Sequence, residues 1–291
     1  MSRYRAGVSL RSTFLDCLDG SQLAAVRELV RTAPDSADNP PISEHGMLAL
    51  AEPGQHLIVS ADDDTVLGYA QLDDTGTNTA VELVASDVEV AAAMLAVLPP
   101  GSRLWAHGER SVANLAAVRT GLRPVRTMLQ LRATLTEVAE RPLPEGVSIR
   151  PFVPGQDDAA WLAVNARAFA GHPEQGSWRQ HDLDLRLRAD WFDPAGFLLA
   201  VSGDRLLGYH WTKLHREFQP PLGEVYVLGV DPSAQGSRLG GALLAAGLRH
   251  LQSRGLRTVL LYVEQDNPAA VHLYRRAGFE PFSTDIQYAL D

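Results

Sequence analysis

The sequence predicts an α/β fold with a mixed sheet, built twice in one chain. Three observations carry that expectation. From Gly223 to Phe279 the apolar spacing switches in the order strand, turn, helix, strand, helix. Short strings from the first half recur in the second, 139 to 157 positions later. A charged segment containing proline, Glu137 to Gly146, lies between the halves and reads as a linker.

The second copy gives the clearest elements. Val225 to Val230 is apolar and β-branched and reads as a buried strand. Asp231 to Gly241 is a turn rich in Pro, Ser and Gly. Ala242 to Arg254 carries Leu243, Leu244, Gly247, Leu248 and Leu251 at helical spacing, and Gly255 stops it. Thr258 to Val263 is a second buried strand. Asp266 and Asn267 offer an N-cap to a last helix, Pro268 takes its first position, and Gly278 ends it. Upstream, Leu198 to Lys213 reads as a hairpin with a Gly-Asp turn.

The chemistry lies in the first strand, turn and helix of this stretch. A turn of small residues ahead of a helix leaves backbone N–H groups pointing outward, and the helix dipole adds partial positive charge there. Gln235, Gly236, Ser237, Arg238, Leu239, Gly240 and Gly241 therefore form a candidate pyrophosphate cradle. Gly229 inside a strand suggests a bulge, which would free backbone amides near Leu228, Gly229 and Val230 to polarise a carbonyl.

The repeat places matching elements in the first half. Val8-Ser9-Leu10-Arg11 recurs as Val147-Ser148-Ile149-Arg150, and Leu67-Gly68-Tyr69 as Leu207-Gly208-Tyr209. Gly121-Leu122-x-Pro124 recurs as Gly278-Phe279-x-Pro281. The domains expected are 1–139 and 140–291. Glu82 to Asp87 runs almost straight into an Ala-rich helix, Val88 to Leu98, so the first copy lacks the glycine turn and its cradle. Glu44 and His45 stand at a helix start, where a carboxylate favours the dipole.

Composition narrows the classes. The 291 residues are 45% hydrophobic and 21% charged, enough for about two globular domains. A net charge of −9 with 26 dispersed basic residues offers no nucleic-acid stripe. No apolar run approaches the ~20 residues of a membrane span, and the N-terminus lacks a signal-peptide core. A cytoplasmic monomer is expected, with no membrane or nucleic-acid partner. The single cysteine, Cys17, excludes an internal disulfide and reads as a small hydrophobe. His172, His181, His210, His215, His250 and His272 show no metal spacing and read as polar or packing residues, so no metal is expected.

The cradle stands beside VDP before it and DN-PAA-x-x-LY-x-x-x-GF after it. That combination resembles the acyl-CoA-binding core of the GNAT N-acetyltransferases, and the chain reads as two tandem GNAT domains. The family loop is Q/R-x-x-G-x-G/A, and Arg238 stands where its first glycine belongs. The strings HPEQG at His172, GYHWTK at Gly208, GEVYVLGVDP at Gly223, LLYVEQDNPAAV at Leu260 and LWAHG at Leu104 together resemble the tandem mycothiol synthase branch.

The resemblance implies acetyl transfer from acetyl-CoA, a co-substrate, to the cysteinyl amine of desacetylmycothiol. An α-amino group with a pKa near ~8 must lose a proton, and Glu224 is placed to accept it. Tyr274 is the candidate acid for the departing thiolate. Asn267, Pro268, Ala269, Ala270, Val271 and His272 resemble coenzyme contacts alongside the cradle and the strand amides. Glu44, Glu174, Lys213, Glu224 and Tyr262 resemble substrate contacts. The alternatives are a GNAT enzyme for another small amine or a protein N-terminus, and a non-catalytic acyl-CoA-binding module.

Overall fold

The computed structural model describes residues 9–33, 40–74, 78–172, 175–216 and 218–291. These form, in chain order, β1 (Arg11–Leu15), α1 (Gly20–Thr32), α2 (Glu44–Ala49), β2 (Gln55–Ser60), β3 (Val66–Asp73), β4 (Ala80–Ala85), α3 (Val88–Leu95), β5 (Arg103–His107), α4 (Val112–Arg119) and β6 (Arg123–Thr134). There follow β7 (Ser148–Pro151), α5 (Asp158–Ala168), α6 (Gln180–Leu187), β8 (Phe197–Ser202), β9 (Arg205–His215), β10 (Leu222–Val230), α7 (Leu239–Ser253), β11 (Thr258–Glu264), α8 (Pro268–Arg276) and β12 (Glu280–Ala289).

The chain divides into two compact units. Unit 1 holds Met1–Leu129, Glu264–Asp266 and Ser283–Asp291; unit 2 holds Gln130–Val263 and Asn267–Phe282. The last residues of the chain thus belong to the first unit.

In unit 1 the strands run β1-β2-β3-β4-β5-β12. Pairing is antiparallel through β4, parallel between β4 and β5, and antiparallel between β5 and β12. Alternation along a strand sends its side chains to opposite faces. Leu57 and Val59 join the cluster containing Val90, Met94, Ala113 and Ala116 of α3 and α4. Ile58 between them joins the other cluster, with Val26 and Val30 of α1. Helices therefore cover both faces, as mixed α/β sheets require. Two residues, Ser86 and Asp87, join β4 to α3, and the Asp87 carboxylate accepts from Val90 N at 3.0 Å as N-cap.

In unit 2 the order is β6-β11-β10-β9-β8-β7. The core under α5 and α6 is aromatic. The Phe197 ring stacks on Phe152 and on Trp211, 4.2 Å between centroids in each case. Trp161 meets Phe197, Tyr209 and Trp211 edge-on, the arrangement ring quadrupoles favour. Leu239 and Leu243 of α7 pack over Ala200 and the partly buried Leu207, Leu228 and Val230. Leu143 and Val147 join that cluster. The segment read as a linker is therefore docked along α7: Glu140 pairs with Arg249 at 3.3 Å, and Gln252 donates to the Thr136 carbonyl.

Two expectations are corrected here. Cys17, read as a small hydrophobe, is exposed between β1 and α1 and packs into no core among the described residues. The bulge lies at Val225–Val227, where the β9 register shifts, rather than at Gly229. Gly229 pairs regularly with Tyr209, and a Cβ there would lie 2.7 Å from the Tyr209 ring. Its missing side chain makes room for a ring, with no change in strand path.

Candidate active site

The site is built where β10 and β11 part. They pair in parallel only at Gly223↔Val259 and Glu224↔Leu260, although β10 runs on to Val230 and β11 to Glu264. Beyond Glu224 the edge of β10 that faces β11 is released from the ladder, while its other edge stays paired through Leu228↔His210, Gly229↔Tyr209 and Val230↔Gly208. The bulge at Val225–Val227 falls at the start of this divergence, and a bulge increases local twist and bends the strand that carries it.

β10 leads through Pro232–Ala234, a single 3₁₀ turn, to α7. Asp231 holds this joint: its carboxylate accepts from Ser233 N at 3.0 Å and pairs with Arg167 at 2.7 Å. Gly236 (φ +79°) and Arg238 (φ +67°) are both left-handed. Arg238 occupies the N-cap of α7 and makes no side-chain cap bond. The first amides of a helix have no partner inside it, so α7 opens with donors toward solvent. Gln235 to Arg238 are exposed. Gly240 and Gly241 fall in the first turn of α7 rather than in the turn before it, close to Leu273 of α8. Arg141, which sequence reasoning missed, lies beside Gly241: a Cβ there would be 3.4 Å from its Nη1. Its one sequence signal was its place in the charged stretch near the domain junction.

α8 starts as expected. Asn267 is the N-cap, accepting from Ala270 N at 3.1 Å, and Pro268 takes the first position. Asn267, Pro268, Ala269 and His272 are exposed, while Ala270 and Val271 are partly buried. Tyr274 is 7% exposed and lies edge-on to Phe279, 5.8 Å away. Burial pushes its phenol well above the ordinary range, so it keeps its proton at neutral pH.

Glu224 lies within β10 rather than ahead of it and is 6% exposed. Its strand partner is Lys213 of β9, also 6% exposed, whose ammonium lies 4.9 Å from the Trp191 ring centroid and 5.5 Å from that of Tyr226. His215, read as an ordinary polar residue, bonds Glu224 directly: Nε2 is 2.6 Å from Oε2. Finding that pair needs the β9–β10 register, which spacing alone does not supply. Tyr262 is 39% exposed on β11, and its hydroxyl accepts from Gln130 Nε2 at 2.8 Å. Thus Lys213, Glu224 and Tyr262 stand on three neighbouring strands of unit 2. Glu44 starts α2 in unit 1, behind the Ser43 cap. Glu174 lies outside the described residues. Among the described residues, no group of three or more His, Cys, Asp or Glu is arranged to hold a metal.

The fold and its relatives define an acetyltransferase of the GNAT family. The acetyltransferase (GNAT) family model matches residues 163–279. A solved tandem GNAT protein from the clavulanic acid biosynthesis pathway superposes with a TM-score of 0.68 at 16% identity, covering 96% of this chain and 98% of its own. A GCN5-related N-acetyltransferase from Sphaerobacter thermophilus gives 0.66 at 21% identity, over 96% and 94%.

Curated relatives are closer in sequence. The mycothiol acetyltransferase of Streptomyces avermitilis is 48% identical over 97% of this chain and 96% of its own length. That of Salinispora arenicola is 47% identical over 96% and 97%, and that of Nocardia farcinica 44% over 94% and 95%. The chain belongs to the mycothiol acetyltransferase family of acetyl-transferring enzymes.

Proposed function

We propose that the chain moves the acetyl group of acetyl-CoA to the cysteinyl amine of desacetylmycothiol, completing mycothiol. The observation that carries this reading is the parting of β10 from β11 beyond Glu224, just ahead of the uncapped start of α7. An open strand edge and a helix N-terminus in sequence offer donors to a thioester carbonyl and to a pyrophosphate.

Each residue then has a task. The amides of Gly236 to Gly241 and the guanidinium groups of Arg238 and Arg141 take the coenzyme phosphates. The α8 start, Asn267 to His272, lines the same side. The edge at Leu228, Gly229 and Val230 aligns and polarises the thioester. Glu224 takes the proton from the substrate ammonium, leaving an amine lone pair to attack the carbonyl carbon. As the carbon–sulfur bond breaks, Tyr274 gives its proton to the leaving thiolate, the second nitrogen proton shed as the amide forms restores the phenol, and Glu224 returns its own proton to solvent; the products are the amide and free coenzyme A. Lys213, Tyr262 and Glu174 serve the sugar-inositol part of the acceptor.

Unit 1 repeats the architecture without the cradle. Where α7 begins with an arginine and no side-chain cap, α3 begins with the Asp87 carboxylate already on its amide. A negative side chain at a helix start competes with a phosphate for the same donors. Unit 1, as a degenerate GNAT domain, therefore holds no coenzyme of its own in this reading.

The test is acetyl transfer to cysteinyl-glucosaminyl-inositol, followed by thiol release, beside a panel of other amines. Selective turnover of that acceptor supports the reading. Efficient turnover of a different amine keeps the mechanism and replaces the acceptor. Coenzyme binding with no turnover on any amine refutes catalysis.

A further inference from the structure

His215 ends β9 and lies diagonally across from Glu224: its own strand partner is Leu222, while Glu224 faces Lys213. Their side chains are nearly enclosed, 13% exposed for His215 and 8% for Glu224, and Nε2 stands 2.6 Å from Oε2. A carboxylate only accepts, so Nε2 carries the hydrogen and His215 donates. The Phe218 ring meets the imidazole at 78° with centroids 5.6 Å apart, which limits rotation of the ring.

From this geometry we infer that His215 is the positioning residue of the catalytic base. The inference rests on Glu224 being that base, as proposed above. A carboxylate withdrawn from water loses solvation that a charge-assisted hydrogen bond restores. The bond also selects one oxygen and fixes the carboxyl rotamer, and acid–base efficiency depends on holding the group in reach of the proton. The Lys213 ammonium is engaged over the Trp191 and Tyr226 rings, 4.9 and 5.5 Å from their centroids. Arg186 is likewise engaged, donating from Nε to the Tyr226 hydroxyl at 2.7 Å. His215 acts through Glu224 and need not touch the acceptor.

The experiment is a comparison of His215→Phe, His215→Gln, Glu224→Gln and the His215→Phe/Glu224→Gln double variant, with steady-state kinetics and coenzyme binding on the full chain. Phenylalanine fills the ring volume without a donor. Glutamine places an amide N–H near the Nε2 position. His215→Phe should lower kcat about 10- to 100-fold, part of the roughly 10²–10⁴-fold a placed acid–base group contributes. Coenzyme Kd should stay within about twofold, and His215→Gln should recover most of the loss. In the double variant the phenylalanine should cost nothing further, because the two residues act as one unit.

Wild-type kcat in His215→Phe, or effects that multiply in the double variant, would overturn the inference. So would equal losses in the phenylalanine and glutamine variants. If His215→Phe melts below the assay temperature, His215→Asn replaces it, since its shorter amide stops short of Nε2. Full activity in Glu224→Gln would instead sink the assignment of the base itself, which separates the two failures.

Discussion

Arg238→Gly should make the protein more stable and its coenzyme affinity weaker. Arg238 holds φ +67° and ψ 9° at the start of α7. An L-residue in that region carries a cost of roughly 1–2 kcal/mol, because Cβ crowds the following carbonyl. Glycine removes the crowding but adds about 0.4–1 kcal/mol of backbone entropy to the unfolded chain. The difference favours the variant by about 0.5–1 kcal/mol, or a rise of about 2 °C in Tm for a domain of this size. The same change removes an exposed guanidinium from the proposed phosphate site. An exposed charge pair contributes at most ~1 kcal/mol, so Kd for acetyl-CoA should rise only a few-fold. Thermal melts and isothermal titration on one preparation read both effects. A lower Tm would refute the strain argument. An unchanged Kd would show that the guanidinium takes no part in phosphate binding.

Four further outcomes follow. Tyr274→Phe should lower kcat by about 10²-fold with coenzyme Kd unchanged, as loss of a general acid requires; stopped-flow thiol release would detect it. Titration with acetyl-CoA should give one site per chain, because the α3 N-terminus is already taken by Asp87; two equivalent sites would exclude the degenerate reading of unit 1. Gly247→Ala should destabilise by about 1–3 kcal/mol in chemical denaturation despite alanine's better helix propensity, since a Cβ there would lie 2.1 Å from the buried His210 ring. Unit 1 should lose stability in alkali. Burial would lower the His107 pKa, but Asp285 at 2.9 Å and Glu82 at 3.1 Å raise it to about 10. Folding is therefore favoured fully below the unfolded value near ~6.5, and the benefit is lost as pH rises through about 10. Melts of His107→Gln should show a flatter alkaline decline than wild type.

The strand–turn–helix around the cradle was legible because every local signal agreed. Val225 to Val230 and Thr258 to Val263 are β-branched runs, and Asn267-Pro268 and Gly278 punctuate α8 where the structure caps and ends it. The α7 boundary was misplaced because Gly240 and Gly241 resemble a turn, yet an N-terminal turn tolerates them beside Leu273. The bulge was assigned to Gly229 since glycine marks bulges. A glycine that clears space for Tyr209 looks identical in sequence. His215–Glu224 was hidden for a different reason: each residue is ordinary alone, and their meeting depends on register across a strand pair. Arg238 showed its departure from the family loop, but only backbone angles reveal that it adopts the glycine conformation.

Unit 1 is completed by residues made long after its first strands. His107 and its partner Asp285 are 178 positions apart. At about 5–20 residues per second, synthesis of that interval takes on the order of 10–40 s. Throughout that time β5 has no β12 beside it, and its Leu104, Trp105 and Ala106 have no strand to close over them on that side. An open apolar strand edge invites pairing with other chains. The first half therefore emerges as an unfinished unit that waits for the second to be made, with the β5 edge open in the meantime.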